Sequence, residues 1–205
     1  GGIFSPFQYM VTSTPSNTAV DISSRALILI GAEPITSFSD GTTESLVTSN
    51  LYEDILRTSL VNARWRFATN QAVLNLLSEA PTGRYDKAYQ LPSDNLMVHS
   101  VTVNDNLIDY QLYGNKVFAD TTDTDEVIVD YTFRADESTF PAYFTLAVTY
   151  SLAVPLALSV ARDASLANAI STQATQLMAK ARSIDAQQQT TRKLVTSRFI
   201  TNRRS

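Results

Sequence analysis

The sequence predicts an α+β fold: an antiparallel helical bundle with an inserted small antiparallel β lobe and an extended C-terminal arm. Three observations carry this reading. Apolar residues recur at spacings of three and four in two separated blocks, residues 21–67 and 135–189, as amphipathic helices require. Between them, residues 68–134 consist of β-branched runs cut by turn-forming residues. Residues 190–205 hold only isolated apolar side chains among Thr and Arg, too few on any one face to pack alone. Residues 1–20 read as an irregular leader ahead of these four parts.

Taken in order, Asp21 is a suitable N-cap for a short helix, ISSRALILIG, that Gly31 and Pro34 should stop. A longer helix is expected from about Thr43 to Phe67, with Leu51, Ile55, Leu56, Leu60, Ala63 and Phe67 on one stripe. Trp65, the only tryptophan, sits near its end between Arg64 and Arg66; with Phe67 it is read as an anchor in the core, the arginines snorkelling outward. QAVLNLL (71–77) is read as strand. VHSVTV (98–103), LIDYQLY (107–113), KVFAD (116–120) and EVIVDYTFR (126–134) follow as strands of one small antiparallel sheet, with turns at Asn104-Asp105-Asn106 and Gly114-Asn115. Residues 139–162 form an apolar helix in which Pro155 must kink the axis or mark a turn. After a break and cap at Asp163–Ser165, a last helix places Leu166, Ile170, Ala174, Leu177, Ala181 and Ile184 on one face.

At 205 residues, with 44% hydrophobic and 18% charged side chains, the chain can bury its own core. It has no cysteine, which excludes disulfides, thiolate nucleophiles and cysteine-bound zinc. The 140–161 segment is interrupted by Thr145, Thr149, Tyr150, Ser151 and Pro155, and reads as a core helix rather than a membrane span. No signal peptide is expected, and Met10 is a plausible native start. The net charge of −4 conceals an asymmetry: residues 181–205 hold six basic groups against Asp185 alone, and the rest is acidic. A basic tail on an acidic body either complements a helix end or docks on an acidic partner or nucleic acid.

Little in the sequence points to chemistry. His99 is the single histidine and is read as a strand-face residue; no G-x-S-x-G elbow or glycine-rich phosphate loop occurs. The acidic run with Asp120, Asp123, Asp125 and Glu126 lacks the glycine and distal glutamate of a calcium loop and reads as solvated. Arg64-Trp65-Arg66-Phe67 alternates basic and aromatic groups as single-strand binders do, so a nucleic-acid-binding module using the basic tail stands as the alternative function.

Five landmarks in order carry a resemblance: ALILIGAEPITSFSDGTTES (26–45), ARWRFATNQAVL (63–74), AYQLPSDNLMVHSV (88–101), VIVDYTFRADESTFPAYFTLAVTYSLAVPLA (127–157) and KARSIDAQQQ (180–189) with its basic tail. Together they resemble the head-to-tail adaptor of short-tailed, podovirus-type bacteriophages, the tail tubular protein A family. The resemblance implies a virion structural protein and not an enzyme, without cofactor or bound metal. It implies a ring of 12 copies in the phage neck, assembled in the host cytoplasm, joining portal protein to tail nozzle protein around the DNA exit channel. DNA would pass through the lumen without sequence-specific binding, and no membrane is involved. On this reading Leu194, Phe199 and Ile200 fill apolar sites on the portal, and Arg192, Lys193, Arg198, Arg203 and Arg204 pair with its acidic groups. Asn104, Asp105 and Asn106, with Asp123 and Asp125, are the candidate nozzle-facing loops.

Overall fold

Thr18, not Asp21, caps the first helix. In the computed structural model, which describes residues 17–188, Thr18 is extended and its Oγ1 accepts the Asp21 amide at 3.1 Å. The Asp21 carboxylate accepts the Thr18 amide at 3.0 Å in return, a capping box that moves the helix start three residues earlier than a lone aspartate would suggest. The arm residues Arg192, Lys193, Leu194, Arg198, Phe199, Ile200, Arg203 and Arg204 lie outside the described residues.

Helix α1 (Ala19–Leu29) ends as the sequence requires. Gly31 takes φ +74°, and the amides of Gly31 and Ala32 return to the carbonyls of Ile28 and Leu27, closing the last turn. Helix α2 (Thr43–Val61) starts on a second box, Thr42 with Ser45. It ends at Val61, six residues short of Phe67. The cause is Trp65, whose backbone is extended (ψ 131°) so that the indole folds back and its Nε1–H donates to the Ser59 carbonyl at 2.9 Å. That bond is the second one accepted by this last-turn carbonyl, which also takes the Asn62 amide at 3.3 Å. One 3-10 turn, Arg66–Ala68, then leads into the lobe.

The lobe contains two four-stranded antiparallel sheets, where one was expected. The strands are β1 (Thr69–Val73), β2 (Asn75–Leu76), β3 (Lys87–Gln90), β4 (Asn95–Val103), β5 (Asn106–Leu107), β6 (Tyr110–Tyr113), β7 (Lys116–Ala119) and β8 (Val127–Phe133). Their orders are β1-β8-β4-β5 and β2-β3-β7-β6. The chain changes sheet four times: at Leu74, between β3 and β4, at Ile108–Asp109, which breaks the predicted 107–113 strand in two, and between β7 and β8. The faces that meet bury Leu74, Tyr89, Leu91, Val101, Val117, Val127, Val129 and Tyr131; residues 127, 129 and 131 show the period of two. A single sheet of this sequence would leave that apolar face in water, so the strands divide and stack.

Helix α3 (Ala142–Ser159) runs through Pro155 unbroken, and α4 (Ala164–Gln187) starts on Asp163, whose Oδ1 accepts the Leu166 amide at 2.9 Å. Both pack on each other and with α1 and α2 into one helical body. Of the predicted α4 stripe, Ile170, Ala174 and Ala181 are buried and Leu166, Leu177 and Ile184 half-buried. An aromatic group forms the floor of the body next to the lobe: Trp65 meets Phe144 edge-on at 5.0 Å, Phe67 lies 4.8 Å from Phe144, and Phe140 lies 5.0 Å from it.

Candidate functional site

Helix α3 has no charged residue in its eighteen positions, which raises the question of what covers it. Advancing roughly 100° per residue, Phe144, Ala147 and Val148 point to one side, and all three are buried. Ala142, Leu146 and Tyr150 point to the other. Thr145 and Thr149 are buried beside Phe144, Ala147 and Val148, and past Ser151 the buried side, now Leu152, Ala153, Leu156 and Ala157, has turned by about 110° around the axis. The helix therefore leaves an apolar surface near each end, about 120° apart around its axis; Leu146 is 47% exposed and Leu158 54%.

Each surface is an open groove. One, of about 510 Å³, lies between α1 and the N-terminal half of α3, with Asn17, Arg25, Ile28 and Leu29 facing Leu146 and Tyr150. The other, of about 520 Å³, lies between α2, α3 and α4, where Ile55 and Asn62 face Val154 and Leu158 across from Met178 and Arg182. Pro155 lines the second groove. Lacking an N–H, it also leaves the Ser151 carbonyl without its helical donor there. Sequence reasoning found neither groove. The signal available was the apolar character of 142–159 all round, which a helix covered on one side does not need.

The helix-to-lobe junction is polar and specific. Arg64 extends from it to Asp130 of β8 at 3.0 Å. Arg66 is exposed, but its backbone N–H donates to Asp185 Oδ2 at 3.0 Å, and Asp185 Oδ1 accepts the Tyr143 hydroxyl at 2.7 Å. Burial and this carboxylate push the Tyr143 hydroxyl up to about 12. Beside the junction, Arg134 binds Glu53 (3.0 Å) and Glu137 (2.7 Å), and Glu137 accepts the Tyr52 hydroxyl at 3.0 Å. Hydrogen bonding from Arg134 outweighs burial and holds the Glu53 carboxyl below the usual range. Burial and then Glu137 raise the Tyr52 hydroxyl.

The residues singled out from the sequence fall as follows. Trp65 is fully buried and Phe67 half-buried, so they anchor the junction as expected, although beyond the helix rather than on it. Trp65 has no face to offer a stacked base. His99 stands at a bulge of β4, with Nε2 2.7 Å from Thr132 Oγ1; burial first, then Arg64, lowers its pKa. Asn104 and Asp105, at φ +50° and +62°, form the two-residue turn between β4 and β5, and Asn106 follows. Val103 pairs with Val127, so this turn and the loop holding Asp123 and Asp125 emerge at one end of the lobe. Asp123 pairs with Lys87, and Asp125 accepts the Thr122 amide at 2.7 Å. Among the described residues no three His, Cys, Asp or Glu side chains gather as a metal site. Asp185 enters the sequence reading only as the lone acid of a basic segment, with no structural role; the available signal was its place next to Ile184 of the apolar stripe. Compared with protein-family models and with curated proteins, the sequence matches none.

Proposed function

We propose that this chain is a virion structural protein: an adaptor subunit of a short-tailed bacteriophage, forming a ring between portal and tail nozzle around the DNA exit channel. The observation that carries the reading, beside the resemblance, is the α2/α3/α4 groove. A ring needs heterologous contacts, in which one patch of a subunit meets a different patch of the next. An apolar groove ending on exposed Leu158 fits such a patch. The paired loops at residues 104–106 and 123–125 supply a nozzle contact at the lobe's far end. Residues 190–205 supply the portal contact, Leu194, Phe199 and Ile200 seating while Lys193 and the arginines pair with acid.

The test is a projection image of the purified protein mixed with portal protein, for the wild type and for Leu158→Asp. A ring stacked on the portal is expected for the wild type. The variant, altered at an exposed position, should keep its far-UV circular dichroism and lose the ring. Rings of Leu158→Asp indistinguishable from wild type would sink the groove assignment. Tight DNA binding by the isolated subunit, falling steeply with salt, would favour the nucleic-acid module instead.

A further inference from the structure

The α1/α3 groove differs from its counterpart in one respect: the chain arrives at its rim. Asn17, the first described residue, lines the groove and is held there by two side-chain bonds. Its Nδ2 donates to Thr145 Oγ1 at 3.2 Å, and its Oδ1 accepts from Arg25 Nη1 at 2.9 Å. Ahead of it stands GGIFSPFQYMVTSTPS, sixteen residues without a charged side chain and with Ile3, Phe4, Phe7, Tyr9, Met10 and Val11. An apolar, uncharged segment therefore enters directly at an apolar groove whose Ile28 is 59% exposed.

We propose that residues 3–11 of the same chain dock in the α1/α3 groove, their aromatic side chains covering Ile28, Leu29 and Leu146. Reach permits it. Thr12–Ser16 spans up to roughly 17 Å when extended, and the groove follows α3 from Ala142 to Tyr150, about 12 Å of helix axis. Charge selects this segment over the other terminal one. Among the described residues Arg25 is the one charged side chain lining the groove, and it is already bonded to Asn17. An uncharged segment brings no like charge against it, whereas residues 190–205 would bring arginines. The proposal concerns the isolated subunit and stands apart from ring formation.

Two measurements decide it. Amide hydrogen exchange compares the full chain with one beginning at Thr12, both dilute. Residues 25–29 and 142–150 should exchange about tenfold faster in the shortened chain, with α4 unchanged. Equal exchange overturns the proposal, and so does protection that grows with protein concentration, because the segment would then come from another copy. Should the shortened chain not fold, the absence of native cysteine permits a second test. Phe7→Cys with Leu146→Cys should cross-link within one chain through a short bismaleimide, and Phe7→Cys with Leu158→Cys should not. Equal yields from the two pairs would overturn the docking.

Discussion

Asp185, two residues before the end of α4, accepts the backbone N–H of Arg66 at 3.0 Å, across 119 positions of sequence. It caps from a distance the 3-10 turn that Trp65 opens without a side-chain cap of its own. The same carboxylate holds Tyr143 of α3, so three segments are fixed by one buried acid. A buried carboxylate is tolerable only when its lone pairs are used, and here both oxygens have donors.

Asp185→Ala should therefore destabilise the chain by about 1.5–3 kcal/mol, the cost of hydrogen bonds to a charged group and of the donors left behind. Urea denaturation gives the value. Combined with Tyr143→Phe, the two effects should be less than additive, since the variants share one bond.

The Tyr143 hydroxyl supplies an optical check. Its folded value, about 12, lies above the ordinary one. Its contribution to stability is therefore complete below about pH 10 and is lost as pH rises through the folded value. Tyr52 and Tyr131 are also raised, so ultraviolet titration should show several tyrosines ionising late, and the step near 12 should move to lower pH in Asp185→Ala.

Trp65→Phe removes the donor to Ser59 and opens space beside Phe144, and should cost about 2–4 kcal/mol. As the single, fully buried tryptophan, Trp65 should emit at short wavelength in the native state and shift to the red on unfolding. Native emission at the wavelength of the unfolded chain would contradict its burial.

Acid should loosen the body beside the lobe. Glu53 has a folded pKa below its unfolded one, so its bond to Arg134 contributes fully above about pH 4.3 and is lost as pH falls through the folded value. Glu53 is 44% exposed, which limits the effect to about 1 kcal/mol. Glu53→Gln should show a correspondingly weaker fall in midpoint between pH 6 and pH 3 by thermal melts.

A chain ending at Gln189 should fold with the stability of the whole chain and fail to join portal-bearing capsids. Wild-type incorporation of the shortened chain would remove the portal contact from residues 190–205.

The helices were legible because their signals are local: periodicity, Asp163 as cap, Gly31 as stop. The end of α2 was not, because Trp65 ends it by a bond to Ser59 that the apolar stripe through Phe67 conceals. Most strands were legible, but β3 (Lys87–Gln90) was not, and nor was their division, since alternation at Val127, Val129 and Tyr131 states that one face is buried without saying against what. The grooves escaped for a related reason. Periodicity in 142–159 is absent, and only packing shows that the buried side changes at Ser151. Asp185 depends on two partners remote in sequence, which no local pattern contains.

The pairing of β1 with β8 has a consequence for how such a chain can change. Thr69 lies opposite Thr132, so the strand that leaves the helical body and the strand that returns to it are adjacent, about 5 Å apart. Covalently, everything between them is joined to the body by these two strands, and Leu96 of β4 adds a packing contact with the helical core. A different lobe with the same paired ends could be spliced in by recombination, and the four helices would scarcely need to readjust. On the proposed function, the nozzle-facing end could thus be exchanged as a unit, while the helical body that would meet its own copies is kept.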